Sequence, residues 1–331
     1  MNNLKFISAF ILFILFSGII FKSYSQEENF PLNKNFILGR KAFKDKDYIN
    51  AFKYFKKSCE ENFIPSCNQL GILYIEGLGT EKNYKKAKIL FEKACGKNFG
   101  NACYNLGVMY DRGDGVNRDL KKAADLYKKA CDLKDMSGCN NLALMYLSGD
   151  GVKRDLKKAA KLLERACNND FIPSCYGLGV MYNKGEGVEK NIEKAVKLYK
   201  KSCDSGYYIG CYNLGVYYLF KKESKEDLSK AKNLFEKACK NGEINSCYNL
   251  GLMYKKGEVI KQNFSKAAEY FEIGCKKGDI LACFNLGVFY YKGQGVSKDI
   301  SKAKSLFQKA CLFGFRKGCI FYEKLEKEKK E

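Results

Sequence analysis

The stretch Cys103-Tyr104-Asn105-Leu106-Gly107-Val108-Met109-Tyr110 decides the fold, together with Gly113-Asp114-Gly115-Val116 and the run from Asp119 to Cys131. Leu106 and Tyr110 stand four apart, on one face of a helix. Gly107 is small on the same side and lets a second helix come close. The glycine pair Gly113 and Gly115 suits a helix end, because glycine accepts the left-handed conformation that a C-terminus commonly needs. Asp119 then opens a second helix, its carboxylate accepting bonds from free helix N–H groups. Leu120, Ala123, Leu126, Tyr127 and Ala130 follow at the spacing of an amphipathic stripe. The segment reads as a helix hairpin.

That hairpin recurs, and the cysteines mark its period. They are Cys59, Cys67, Cys95, Cys103, Cys131, Cys139, Cys167, Cys175, Cys203, Cys211, Cys239, Cys247, Cys275, Cys283, Cys311 and Cys319. The step within a pair is 8 residues and the step between pairs is 36 throughout. One structural unit is therefore repeated. The residues equivalent to Asp119 are Asn83, Asp155, Asn191, Asp227, Asn263 and Asp299, all capable N-caps. Ala87, Ala123, Ala159, Ala195, Ala231, Ala267 and Ala303 are alanine in every copy, which predicts a tight helix–helix crossing. A lone hairpin cannot bury its stripe, but stacked neighbours can, so the expected fold is an all-α, α/α solenoid.

The expected organisation is a signal peptide over 1–25, an N-terminal helical hairpin cap over 26–66, seven 36-residue repeats over 67–318 and a C-terminal capping helix over 319–331. Two repeats depart from the pattern. Leu219 to Asp227 has no glycine pair at unchanged length, which predicts a more helical or differently bent turn. The repeat from Cys247 keeps Gly257 but has Val259 where the second glycine belongs.

The N-terminus predicts export. Lys5 precedes an apolar run from Phe6 to Phe21, and Ser23 and Ser25 fit a small-x-small cleavage site. The run is shorter than the roughly 20 residues a membrane span needs, so no membrane span remains after cleavage. Sixteen cysteines, an even number, point to disulfides and an oxidising compartment, either periplasm or the exterior. Cys131 ends one second helix and Cys139 begins the next first helix, so the turn between them can bring the two together. The antiparallel hairpin also leaves Cys103–Cys131 open. The short pairing leaves no terminal cysteine over.

The chain has no histidine, which removes the Ser-His-Asp triad, the Cys-His nucleophile and histidine zinc ligands. The cysteine spacing is wider than the close pairs of Cys-only zinc sites, and no cofactor is expected. The net charge of +22 falls to +20 when Lys5 and Lys22 leave with the leader. In an exported protein such charge suits acidic envelope surfaces or acidic peptides. Most lysines, Lys121-Lys122 and Lys128-Lys129 among them, fall on outward helix faces, and aromatic interleaving of a nucleic-acid module is absent, so no nucleic-acid partner is expected.

Cys103 to Tyr110, Gly113 to Val116 and Lys121 to Ala123 together resemble a Sel1-like repeat, a cousin of the tetratricopeptide repeat. With a cysteine pair in every unit and a leader, the chain over about residues 33 to 325 resembles the Helicobacter cysteine-rich protein (Hcp) family. The resemblance implies disulfides between each cysteine and the one 8 residues on, and an exported, soluble solenoid. Members of that family are commonly labelled β-lactamases or penicillin-binding proteins, and others are regarded as secreted factors that interact with host cells.

In the related tetratricopeptide fold the first helices line a concave groove. Carried over, the groove candidates are Asn105, Asn141, Asn213, Asn249 and Asn285, with Tyr104, Tyr176, Tyr212, Tyr248 and Phe284 before them. An asparagine amide matches the donors and acceptor of a peptide group, and the rings supply flat apolar contact. The expected partner is an extended peptide or protein tail, from the cell-wall stem peptide or a host protein, bound by a monomer. The same asparagines could instead bond backbone in a neighbouring helix and hold the repeats in register. The enzymatic alternative is a penicillin-binding protein or weak β-lactamase. Ser229-x-x-Lys232 and Ser301-x-x-Lys304 match the first motif of the serine enzymes, but the Ser-Asp-Asn and Lys-Thr-Gly partners are missing.

Overall fold

The computed structural model describes residues 33–221, 224–257 and 260–328. The leader expected over 1–25, the first residues of the cap, Val259 and the last three residues lie outside that range. The chain divides into two compact units, the first ending at Ala102 and the second beginning at Cys103. The described secondary structure is helical, as expected. The first unit contains α1 (Lys34–Lys44), α2 (Tyr48–Glu60), α3 (Ile64–Glu76) and α4 (Tyr84–Gly96), and α5 (Gly100–Arg112) crosses the boundary. The second contains α6 (Leu120–Asp132), α7 (Met136–Ser148), α8 (Leu156–Asn168), α9 (Ile172–Lys184), α10 (Ile192–Asp204) and α11 (Tyr208–Lys221). It continues with α12 (Lys225–Lys240), α13 (Ile244–Lys256), α14 (Phe264–Lys276), α15 (Ile280–Lys292), α16 (Ile300–Leu312) and α17 (Arg316–Lys327). Odd-numbered helices are the first helices of the hairpins, even-numbered ones the second.

The N-caps fall where the sequence places them, with one exception. Asn83, Asp119, Asp155, Asn191, Asn263 and Asp299 each accept the backbone N–H three residues on, at 2.9–3.0 Å. Asp227 does not cap. Ser224 does so instead, accepting from the Asp227 backbone at 3.1 Å, and α12 begins a turn early. Asp227 is buried within that extra turn. Without glycines to end α11 and form a loop, α11 runs on to Lys221 and α12 starts three residues before the usual position, the more helical arrangement expected for this repeat.

The repeated alanines are fully buried. Beside them the first-helix glycine lies flat on a large side chain of the second helix. A Cβ on Gly107 would stand 2.8 Å from the Tyr127 ring, and one on Gly251 would stand 2.5 Å from the Phe271 ring. The two loop glycines have different roles. Gly149 ends α7 in the left-handed conformation, whereas Gly151 lies against the Leu120 carbonyl at the start of the previous second helix, where no side chain fits.

Seven of the expected disulfides are Cys59–Cys67, Cys131–Cys139, Cys167–Cys175, Cys203–Cys211, Cys239–Cys247, Cys275–Cys283 and Cys311–Cys319. Cys95 and Cys103 are also oxidised. Cys131 bonds Cys139, which eliminates the longer Cys103–Cys131 pairing. Each staple joins the end of a second helix to the beginning of the next first helix, with Cα atoms 4.5–4.8 Å apart. The closing helix α17 begins at Arg316, three residues ahead of Cys319. No described helix is long and apolar enough to cross a membrane.

Candidate functional site

The candidate residues follow Cys103, Cys211, Cys247 and Cys283 by one and two positions, with Tyr176 the first after Cys175 and Asn141 the second after Cys139, so the first helices set them in columns. The leucine and glycine after them, as in Leu106 and Gly107, turn into the core. The column before the asparagine is half-buried rather than open. Each ring leans on the large aromatic of its own hairpin's second helix: Tyr104 on Tyr127, Tyr176 on Tyr199, Tyr212 on Phe235, Tyr248 on Phe271 and Phe284 on Phe307, with centroids 5.5–6.1 Å apart. Phe284 also meets Phe315 and Phe321 of the following turn and helix. These rings close the core with one side and present the other.

The asparagines are also half-buried. Asn213 donates through Nδ2 to the Ile209 carbonyl at 3.0 Å and to the Tyr176 hydroxyl at 3.5 Å. Tyr176 belongs to the preceding repeat, so the amide bridges two hairpins. The same pairing of a tyrosine with the asparagine 37 residues on recurs. Burial pushes the Tyr104 and Tyr176 hydroxyls up to about 12, while the amides of Asn141 and Asn213 respectively pull in the opposite direction. Tyr212 and Tyr248 are raised by burial too and are opposed by Asn249 and Asn285. Asn285 donates to the Leu281 carbonyl at 2.8 Å and accepts Lys255 Nζ at 3.0 Å. Asn105 is half-buried at the matching position of α5. In the Tyr column Asn140 is buried, accepting the Ser174 hydroxyl at 2.9 Å. Where Asn213 reaches the preceding repeat it does so at a tyrosine hydroxyl, whereas the sequence reading pointed to backbone.

Two further ladders went unassigned in the sequence, where their lysines read as solvated. Arg165, Lys201, Lys237 and Lys309 each donate to the carbonyl of the cysteine 34 residues earlier, at 2.9–3.2 Å. In the first unit Lys93 does the same to Cys59. A cation is thereby placed on the free carbonyls at the end of the preceding second helix, where the helix dipole favours it. A second series lies over tyrosine rings twelve residues earlier, Lys122 on Tyr110, Lys158 on Tyr146 and Lys194 on Tyr182, at 4.2–5.5 Å. Their sequence signal was the 36-residue recurrence of a basic residue, unbroken in the second series and interrupted in the first only by Ile273.

The Ser-x-x-Lys matches do not form a nucleophile–base pair. Ser229 and Ser301 are exposed. Lys232 is paired with Glu236 at 3.0 Å, and Lys304 is paired with Glu326 of the closing helix.

Hairpins of constant length, stapled in series and bridged by repeated side-chain ladders, define a disulfide-rich α/α repeat protein of the tetratricopeptide-like class. The Sel1 repeat model matches residues 39–63, 64–99, 100–135, 137–171, 172–207, 209–243, 244–279 and 280–312. The chain belongs to the Sel1 repeat family. It is similar to HcpC of Helicobacter pylori, which is named a beta-lactamase, at 46% identity over 46 residues, 14% of this chain and 16% of that protein. To HcpE of the same organism, which has a like name, identity is 38% over 71 residues, 21% of this chain and 20% of that protein. The matched stretches thus span a fifth or less of those relatives. A solved protective antigen of uropathogenic Escherichia coli displaying an SLR fold is 29% identical with a TM-score of 0.73, over 87% of this chain and 63% of that one.

Proposed function

We propose that this protein is an exported binding scaffold that holds an extended peptide or protein tail along its first helices. The observation that carries this reading is the column of aromatic rings and asparagine amides set at multiples of 36 residues, each half-buried with part of its surface open. A regularly spaced series of flat apolar faces beside amides suits a regularly spaced backbone. Because Nδ2 of Asn213 and Asn285 is used within the fold, and the Asn285 oxygen already accepts Lys255, a bound peptide would be read chiefly through ring faces, with its N–H groups offered to amide oxygens such as that of Asn213. A cell-wall stem peptide and a host protein tail share that chemistry. Export agrees with the disulfides, which persist in oxidising compartments.

The test is a screen of mature protein against immobilised peptides and cell-wall fragments. Asn105→Ala with Asn141→Ala should weaken capture while helicity and melting stay nearly unchanged. Unfolding of that double variant would assign the asparagines to register alone. The names of HcpC and HcpE raise hydrolysis of β-lactams as an alternative. Loss of chromogenic cephalosporin turnover on rigorous repurification would remove it.

A further inference from the structure

The last interhelical turn differs from its counterparts. Its two positions after the second-helix cysteine hold Asn168-Asn169, Asp204-Ser205, Lys240-Asn241 and Lys276-Lys277 in the four turns before it. Between α16 and α17 they are Leu312 and Phe313, 78% and 65% exposed. Ile320, one turn into α17, is 54% exposed.

The surroundings are basic. Arg316 and Lys317 open α17 and are exposed. The bond from Lys309 Nζ to the Cys275 carbonyl, 3.2 Å, sets the end of α14 beside α16, and exposed Lys276 and Lys277 follow directly. From Lys309 to Tyr322 there is no acidic residue. Phe315 occupies the position where Asp135, Glu243 and Asp279 cap their helices. The ion pairs at this end, Lys276–Glu272, Lys304–Glu326 and Lys324–Glu328, involve none of Lys277, Arg316 and Lys317.

We propose that this turn is a docking tip for an anionic lipid surface. Phe313 and Leu312 enter the boundary between headgroups and acyl chains, and Lys277, Arg316 and Lys317 meet lipid phosphates. Apolar side chains on a turn need no complementary pocket in a bilayer. A second copy of the chain is disfavoured as occupant, because two such tips would bring like charges together. Docking of this kind is peripheral.

The experiment is co-sedimentation of the mature protein with vesicles of about one part phosphatidylglycerol to three of phosphatidylcholine, and of phosphatidylcholine alone. Binding to the anionic vesicles alone is expected, falling about tenfold in Phe313→Asp and in Arg316→Glu with Lys317→Glu. Lys161→Glu with Lys197→Glu, of equal charge change on exposed sites elsewhere, should bind within about twofold of the parent. Absence of binding would overturn the proposal. So would binding indifferent to Phe313→Asp, which would assign it to diffuse charge, or a dimer in light scattering that Phe313→Asp abolishes.

Discussion

The turn that precedes each first helix places one residue in the left-handed region. Gly206, Gly242, Gly278 and Gly314 serve there in the later repeats, but Asn62, Asn98, Lys134 and Asp170 serve in the earlier ones, at φ of 58–64°. Lysine gains least from that conformation, since the left-handed region costs an ordinary L-residue about 1–2 kcal/mol. Lys134→Gly should therefore raise stability by about 0.5–1 kcal/mol in urea unfolding, after the extra freedom glycine has in the unfolded chain. A loss of stability would show that the lysine side chain makes a contact worth more than the strain. A second residue-scale prediction concerns the tyrosine column. Tyr104 and Tyr176 are raised by burial to about 12 in the fold. Groups with a raised folded value contribute their full stability below the unfolded value near 10 and lose it as pH climbs from about 10 through 12. A rapid pH jump followed by tyrosinate absorbance should show a late-ionising class, and unfolding should become easier across that window. Asn213→Ala should delay Tyr176 further, because its amide favours the ionised hydroxyl. Unchanged titration would mean that the amide does not act on that hydroxyl.

Within the hairpin, shape complementarity between one glycine and one ring decides how closely the two helices approach. A methyl on Gly251 would overlap the Phe271 ring, which is fully buried and has nowhere to move. Gly251→Ala should cost about 1–3 kcal/mol, the range for overpacking a close-packed interior. Phe271→Leu in the same molecule should recover part of that loss, and a purely additive pair would refute the ring contact as its cause. This element was legible in the sequence because a glycine and an alanine recur at fixed offsets, and side-chain size alone explains both. The N-caps were legible for the same reason, except at Asp227. There the pattern of Asp or Asn at one position in the repeat was intact, but the cap had moved to Ser224, because removing the loop glycines let the helix extend backwards. Repetition copies a residue without guaranteeing its role. The ladder of Arg165, Lys201, Lys237 and Lys309 was missed for a related reason: charge on an outward helix face looks solvated until the preceding repeat is stacked beside it. The asparagine columns could be located by sequence, but not their partners, since a tyrosine hydroxyl 37 residues away is reached only through the stacking geometry.

Along the second unit, hairpins are joined in series by a disulfide and close backbone packing, and at four junctions by a basic side chain on a helix end as well. The three differ in what their loss should do. Gly138 of α7 packs against Ala130 and the backbone of α6, so that seam has its own complementarity beside the Cys131–Cys139 bond. Removing the bond with Cys131→Ser and Cys139→Ser reopens only a short loop, for which the chain-entropy model gives about 2–3 kcal/mol. Because a solenoid's stability is close to a sum of repeat and nearest-neighbour terms, that loss should remain local. Hydrogen exchange should show α6 and α7 opening at lower free energy while α14 to α16 keep their protection. Arg165→Met tests the second joint: it removes a charged donor from the Cys131 carbonyl and should cost about 1–3 kcal/mol at the same seam. Added to the cysteine double variant, it should cost less than the sum of the two, since both act where α6 ends. Equal loss of protection across every helix would instead mean that the unit unfolds as one body, and that the cysteine period, however regular, sets spacing without dividing the molecule into separable parts.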